Sequence, residues 1–394
     1  MRQYGALVGV IVLARFAAFI ARMHIAPFYP ELMRLYKTDY AGIGVLFSSF
    51  FWGYAASLLP AGWLADRVSP RIQIGLGLLV MGLGTAVDGF AGTYRAAFLL
   101  RLLEGAGVGL TYPAILRVLA SALPRNSRGK IAGLMEIAIA AAMFVSLSLA
   151  PVAVKWAPVS ALFAAMGILC FAGLAALRSL PNHAVVAMPD RVKAAAFRVL
   201  GAPFLMAVAI SLLGLTVVNV LLGWLPAYFE TGLGLSKPVA GAAMTIVLIA
   251  EVGAALPGGA LSDRTGDRIP VIAWGTAALV VSPIGFLLSG HWKGVWLFSA
   301  LVGLGTAWGV TQMTLFIAEI FGPQRAGLTT GITTAVSNAG SGLILSFLGW
   351  TIDVTGGFQW LWILCAALVL LRLWLLISFA RSRRCKTAAT ASPA

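Results

Sequence analysis

Charge is what this chain has least of. Only 10% of its 394 residues are Asp, Glu, Lys or Arg, and only 13 are acidic. A soluble domain carries about 25% charged residues, so a water-soluble globular chain is excluded. Cysteine is almost absent. Cys170 and Cys365 fall in apolar runs and Cys385 in the carboxy-terminal tail, which leaves no disulfide framework and no pair at metal-ligand spacing. The three histidines, His24, His183 and His291, are scattered. No metalloprotease helix can be assembled from them, and no catalytic triad. The glycine-rich stretch 75–84 lacks the lysine and strand context of a phosphate loop. The chain reads as a non-enzyme with no metal, no ATP and no cofactor.

What is present is apolar sequence: 60% hydrophobic residues and a mean hydropathy of +0.94. The runs recur along the whole length, which rules out a cleaved signal peptide ahead of a soluble domain. Twelve spans of the ~20 residues that a bilayer requires are predicted at 5–28, 41–61, 72–91, 94–121, 130–152, 158–178, 201–223, 238–259, 270–289, 294–320, 327–351 and 359–380. Runs this long must be helices, because lipid-facing backbone has to bond within its own segment. Outside the spans, 17 Lys and Arg fall on the side of the amino terminus, against 6 (Arg34, Lys37, Arg95, Lys155, Lys237 and Lys293) on the other. That bias places both termini in the cytoplasm. It also accounts for most of the +15 net charge through topology and contact with anionic lipid, with no nucleic-acid partner.

One phrase occurs twice. Leu59-Pro-Ala-Gly62-Trp-Leu-Ala-Asp66-Arg67 with Arg71 returns as Leu256-Pro-Gly-Gly259-Ala-Leu-Ser-Asp263-Arg264 with Arg268, 197 positions later, which is half the chain. A duplicated, very apolar chain points to a transporter of two related halves. The expected organisation is a six-helix bundle over 1–178, a polar cytoplasmic linker over 179–200, a second six-helix bundle over 201–380, and a basic tail over 381–394.

These phrases resemble the cytoplasmic-loop signatures of the major facilitator superfamily, and Arg101-Leu-Leu-Glu104-Gly105 resembles its helix-4 signature. The resemblance implies two pseudo-symmetric six-helix bundles, with helices 1, 4, 7 and 10 around a central cavity. A narrower resemblance is to the anion:cation symporter branch, which carries organic acids. It rests on Phe47-Ser-Ser-Phe-Phe-Trp52-Gly-Tyr54, on Gly223-Trp-Leu-Pro226-Ala-Tyr228, on Ser337-Asn338, and on Arg22 and Arg117 at branch positions. Three departures stand out. Ala21 and Val108 occupy positions where the branch keeps acids that commonly carry a coupled proton, and Ser69-Pro70 replace the usual Gly and basic residue. Helix 5 also lacks the Gly-Pro signature of drug antiporters.

Five arginines fall within the spans: Arg15, Arg22, Arg101, Arg117 and Arg372. Each costs roughly 2.5–3.5 kcal/mol at mid-bilayer on insertion scales, so each requires a function or a partner. Arg15 and Arg22 are seven apart and share a helix face. Arg22 and Arg101 are expected at one depth, facing one cavity, where two guanidiniums make a carboxylate site. The alternative is that Glu104, one turn from Arg101, neutralises it. Arg117 reads as structural, paired with Glu136 of helix 5, and Arg372 as snorkelling to the inner surface. Tyr54, Asn219 and Asn338 are candidates to orient the substrate, with Thr306, Gln312 and Thr314 on span ten. Trp308 reads as packing. A buried carboxylate that loses a cationic partner takes up a proton more readily, which makes Glu104, then Glu251 and Glu136, the candidates for proton coupling.

The loop signatures read as a latch. Gly62 and Gly259 would allow close helix approach, Asp66 and Asp263 would face helix amino termini, and Arg67, Arg71, Arg264 and Arg268 would pair with inner acids such as Glu319. The combined expectation is a monomeric carrier in the plasma membrane. Its cargo is a small organic anion, with a proton as partner ion or a counter-anion exchanged. Efflux of a drug or metabolite and a transporter-like sensor are the alternatives.

Overall fold

The computed structural model describes residues 5–65, 67–121, 125–175, 177–180, 201–289, 294–321 and 326–391. Every secondary-structure element among these residues is a helix. Eleven helices are long and apolar enough to cross a membrane: α1 Gly5–Tyr36, α2 Tyr40–Leu64, α3 Pro70–Asp88, α4 Tyr94–Leu119, α5 Gly133–Ala153, then α7 Ala202–Gly232, α8 Lys237–Thr265, α9 Ile269–Ser289, α10 Val295–Ile317, α11 Gly331–Thr355 and α12 Gln359–Ser382. A shorter apolar helix, α6 Val159–Ala175, lies between α5 and α7. The spans read from hydropathy match these twelve to within a few residues, except that α1 continues through a 3-10 turn at Ala26–Phe28 to Tyr36 and α7 continues past its expected end at 223 through a π-helical turn to Gly232. The proposed linker falls almost wholly outside the described residues.

Proline and glycine are used inside the helices. Pro60, Pro113, Pro226, Pro257 and Pro283 all sit within helical segments, which membrane helices tolerate when neighbours satisfy the freed backbone groups. Gly53 and Gly105 bring α2 and α4 into backbone contact: a methyl at Gly53 would strike the Leu102 carbonyl, and one at Gly105 the Phe50 carbonyl. Small residues give dispersion contact where lipid removes any hydrophobic drive between helices. The substituted Ser69-Pro70 has a local explanation. The Ser69 hydroxyl accepts from Ile72 N at 3.4 Å and Pro70 opens α3, the ordinary start of a helix.

The two halves of the chain meet along α2 and α11. Asp353, near the end of α11, accepts from the amides of Tyr40 (3.1 Å) and Ala41 (2.6 Å), the first residues of α2. It thus caps a helix of the other half, where a carboxylate also meets the positive end of the helix dipole. Nearby, Lys237 pairs with Glu31 at 2.8 Å and Glu230 at 3.2 Å and donates to the Pro27 carbonyl. The Tyr40 hydroxyl also donates to Thr231 Oγ1 at 3.1 Å. Together these form a clasp at one end of the molecule.

Asp353→Asn keeps the shape and removes the charge of the cap. Thiol labelling of an Ile352→Cys reporter, buried beside the clasp, is expected to rise several-fold in that background; an unchanged rate would show that the cap does not hold this end shut.

Candidate functional site

A cavity of about 300 Å³ lies between the halves. From the first half it is walled by Arg15, Phe19 and Arg22 of α1, Tyr54 of α2, Tyr112 of α4 and Glu136 of α5. From the second half come Asn219 of α7, Glu251 of α8, Thr306 of α10, and Thr334 and Asn338 of α11. Arg15 and Arg22 share the cavity because two turns separate them on one helix.

Arg22 is held across the chain. Its Nη2 donates to Asn219 Oδ1, and its guanidinium lies over the rings of Phe51 (4.9 Å) and Phe19 (5.3 Å). Asn219 presents its oxygen because its Nδ2 donates to Ser341 Oγ at 3.0 Å, and Ser341 in turn donates to the Ser337 carbonyl. Arg15 lies over Phe19 at 5.3 Å and Tyr112 at 5.6 Å. Neither arginine forms an ion pair among the described residues, and Nε of each has no partner. Glu136 and Glu251 face the same space. Glu136 interacts through space with Arg15 on one side and with Glu251 on the other. Asn338 donates to Thr334 O at 2.7 Å and leaves its Oδ1 unpartnered. Thr306 bonds back to Val302 O, and Trp308 packs α10 on α8 with its Nε1 on Ala254 O at 2.7 Å.

Arg101 is not where its depth suggested. It is fully buried behind α1 and does not line the cavity. Its Nη1 donates to Glu104 Oε2 at 2.6 Å and to the Ala21 carbonyl, and Nη2 donates to Arg22 O at 3.2 Å. The first helical segment of α1 ends at Met23, so the carbonyls of its last turn lack helical partners. A cation fits that terminus. Arg101 is therefore placed as a cap on α1, and Glu104 as its counter-ion.

His24 completes this dry cluster. Its Nδ1 faces Ala21 O at 3.1 Å and its Nε2 faces Asp88 Oδ2 at 3.1 Å and Glu104 Oε1 at 3.9 Å. The His24–Asp88–Glu104 group was missed in the sequence, since no local spacing joins the three. The available signal was depth: His24 near the end of its span, Asp88 at the end of α3 and Arg101 in the corresponding half of α4. Their ligand atoms lie within 4.8 Å of one another, and the Arg101 guanidinium already supplies the cation there.

The latch residues are dispersed. A methyl at Gly62 or Gly259 would meet open space, so neither marks a close helix approach in this structure. Arg67 stacks on Trp63 of its own helix at 3.7 Å. Asp263 is 76% exposed and lies 3.9 Å from Arg268, so it caps no helix here. Arg268 donates to Gln312 Oε1 at 2.7 Å and to Ser262 Oγ at 3.3 Å, a tie within one half that also takes Gln312 away from the cavity. Among the described residues Arg71 and Arg264 form no ion pair. Asp66, the Glu319 side chain and the Thr314 side chain lie outside the described residues. Arg372, expected to snorkel, is completely buried.

Twelve apolar helices around a central polar cavity are the architecture of a membrane transporter. The profile of the Major Facilitator Superfamily matches residues 11–237 and 204–393, and the chain belongs to that family. The crystal structure of a D-xylose–proton symporter superposes with a TM-score of 0.79 over 95% of this chain and 97% of the other, at 16% identity, which supports the same fold. Among sequence relatives, a protein named a probable galactarate/D-glucarate transporter of Escherichia coli is 23% identical over 380 residues, 84% of this chain and 82% of that one. One named a probable sulfoacetate transporter of Cupriavidus necator is 30% identical over 128 residues, 32% of this chain and 30% of that protein's length. These names are those of anion carriers, in line with the branch that the motifs resemble.

The two arginines should separate in a melting experiment. Arg101→Gln leaves Glu104 buried without its cation and is expected to destabilise the detergent-solubilised protein by about 3–5 kcal/mol. Arg22→Gln should leave the melting temperature nearly unchanged. Equal losses would contradict the division into a structural and a cavity arginine.

Proposed function

We propose that this protein is a secondary active transporter that moves a small organic anion bearing a carboxylate across the plasma membrane, the inner membrane of a bacterium, by alternating access. The observation that carries this reading is the pair of arginines on α1. They reach the central cavity with no carboxylate paired to either among the described residues, and the hydrogen bond that Arg22 makes there is to a neutral amide. A guanidinium fork with free N–H groups binds a carboxylate in bidentate fashion. Tyr54, Asn219 and Asn338 surround it with groups able to orient a hydroxylated chain. A cavity of about 300 Å³ suits a molecule the size of a sugar acid. The relatives named for galactarate, glucarate and sulfoacetate support the same chemical class.

Coupling follows from the charge of the wall. Two arginines face two glutamates, Glu136 and Glu251. Such a wall is neutral when both acids are ionised. An entering carboxylate adds a negative charge that a low-dielectric chamber resists, and one proton restores neutrality. Glu251 lies on the opposite half from Arg15 and Arg22, so it can release that proton when the halves part. This moves the coupling role from Glu104, which is held in the dry cluster behind α1, to Glu251 with Glu136. In the proposed cycle 1–178 and 201–380 rock as two bundles joined by 179–200, as a monomer with both termini cytoplasmic. The Asp353–Lys237 clasp then closes the outer face, and the loops around Arg67 and Arg268 open the inner one.

Proteoliposomes test the reading. Counterflow of galactarate, glucarate or sulfoacetate is expected, and an inward proton gradient should drive accumulation. Arg22→Lys replaces the fork with a point charge and should lower uptake about tenfold or more, the loss of one hydrogen bond to a charged group. Glu251→Gln should abolish proton-driven accumulation while counterflow persists; accumulation that stays pH-dependent would remove Glu251 from the mechanism. Competition by lipophilic cations and not by carboxylates would replace the proposal with efflux. Ligand binding without counterflow would replace it with a sensor.

A further inference from the structure

The second half contains a buried arginine that the carrier mechanism does not use. Arg372 of α12 is fully inaccessible. Its Nε donates to Ile210 O at 3.1 Å and its Nη2 to Gly309 O at 2.5 Å, while Nη1 has no partner. Space is made for it: a Cβ on Gly214 would lie 2.6 Å from the guanidinium carbon, and one on Gly309 would lie 3.1 Å from Nη1. The Gly309 carbonyl belongs to a π-helical turn in α10, Thr306–Thr311, where the normal hydrogen-bond ladder is interrupted. Among the described residues no carboxylate pairs with Arg372.

Beside the guanidinium is a separate chamber of about 40 Å³, walled by the hydroxyl-bearing residues Ser211, Thr333, Thr334 and Ser337. The hydroxyls of Thr333 and Ser337 are buried and unpartnered. Nη1 and the two hydroxyls thus belong to residues that border the chamber, the rest of its wall is apolar (Leu215, Val310, Met313 and Ile317), and no acidic group lines it. An uncompensated buried cation is strongly unfavourable. A particle that accepts from all three donors and carries negative charge removes the penalty. The volume admits a monatomic ion or a few waters and is too small for a sugar acid.

We propose that this chamber binds one small inorganic monovalent anion of halide size, held by Arg372 with Thr333 and Ser337. The site adjoins the central cavity, since Leu215, Val310 and Thr334 line both, but it does not share Arg15 or Arg22. Its occupant neutralises the second half where α7, α10, α11 and α12 meet. The inference stands on this geometry and not on the organic-anion reading.

The test is a titration of purified protein with sodium chloride at constant ionic strength, balanced with sodium gluconate, reading the melting temperature. In Arg22→Gln, where the sugar-acid site of the central cavity is disabled, chloride and bromide should give a saturable rise, and gluconate, too large to enter the chamber, none. Ser337→Ala should raise the chloride midpoint about tenfold, the loss of one hydrogen bond to a charged group. Arg372→Met should abolish the response. The response should survive in Arg22→Gln, which separates it from the central cavity. Should Arg372→Met not fold, Ser337→Ala alone decides. No chloride dependence in Arg22→Gln, an equal effect of gluconate in that variant, or a response unchanged in Ser337→Ala would each overturn the proposal.

Discussion

The contact between Arg22 and Asn219 governs the arrangement of the centre. The two residues lie 197 positions apart, the same interval that separates Asp66 from Asp263 in the repeated phrase. They therefore stand at corresponding positions of the repeat, and they meet across the cavity. The same interval relates Tyr54 to Glu251, and both line the cavity. Duplication supplied a symmetric frame, and divergence made one partner cationic and the other neutral. A neutral partner orients the guanidinium without cancelling its charge, whereas a carboxylate there would have closed the site electrostatically.

The remaining intramembrane charges are sorted by water access. Arg101, Glu104, Asp88 and His24 are buried and bonded into one cluster behind α1. Removing any one would strand another in a medium where an isolated ion is strongly disfavoured. Arg15, Arg22, Glu136 and Glu251 are wet, face one chamber and are free to respond to what enters it. The dry group also fixes the wet one: Arg101 grips the carbonyls of Ala21 and Arg22, so the helix end that carries the cavity arginine is anchored by the buried one.

The helices were legible because hydropathy and length determine a membrane span almost by themselves, and the Arg15–Arg22 face was legible because seven residues make two turns. What failed was rotation. Sequence placed Arg101 at the depth of Arg22 correctly, but depth does not say which side of α4 meets water, and the side facing the unsatisfied carbonyls of α1 won. Glu104 was legible as its partner, because three residues on a helix bring two side chains together. The His24–Asp88 contact joins helices far apart in sequence and leaves no periodic trace. Arg372 was misread for a related reason: its refuge depends on a widened turn in α10 and on glycines in α7 and α10, none of which has meaning for α12 until the helices are packed. Ser69-Pro70 looked like a departure from a family pattern and is instead a complete helix start.

A helix that borrows its cap from the opposite half ties secondary structure to gating. In the proposed cycle α11 withdraws and the Tyr40 and Ala41 amides lose the Asp353 carboxylate, and nothing else among the described bonds replaces it. The first turn of α2 then exchanges its protons with solvent at the frequency with which the halves separate at this end. Hydrogen exchange at those two amides becomes a local clock for the conformational cycle, running in the native chain without any label.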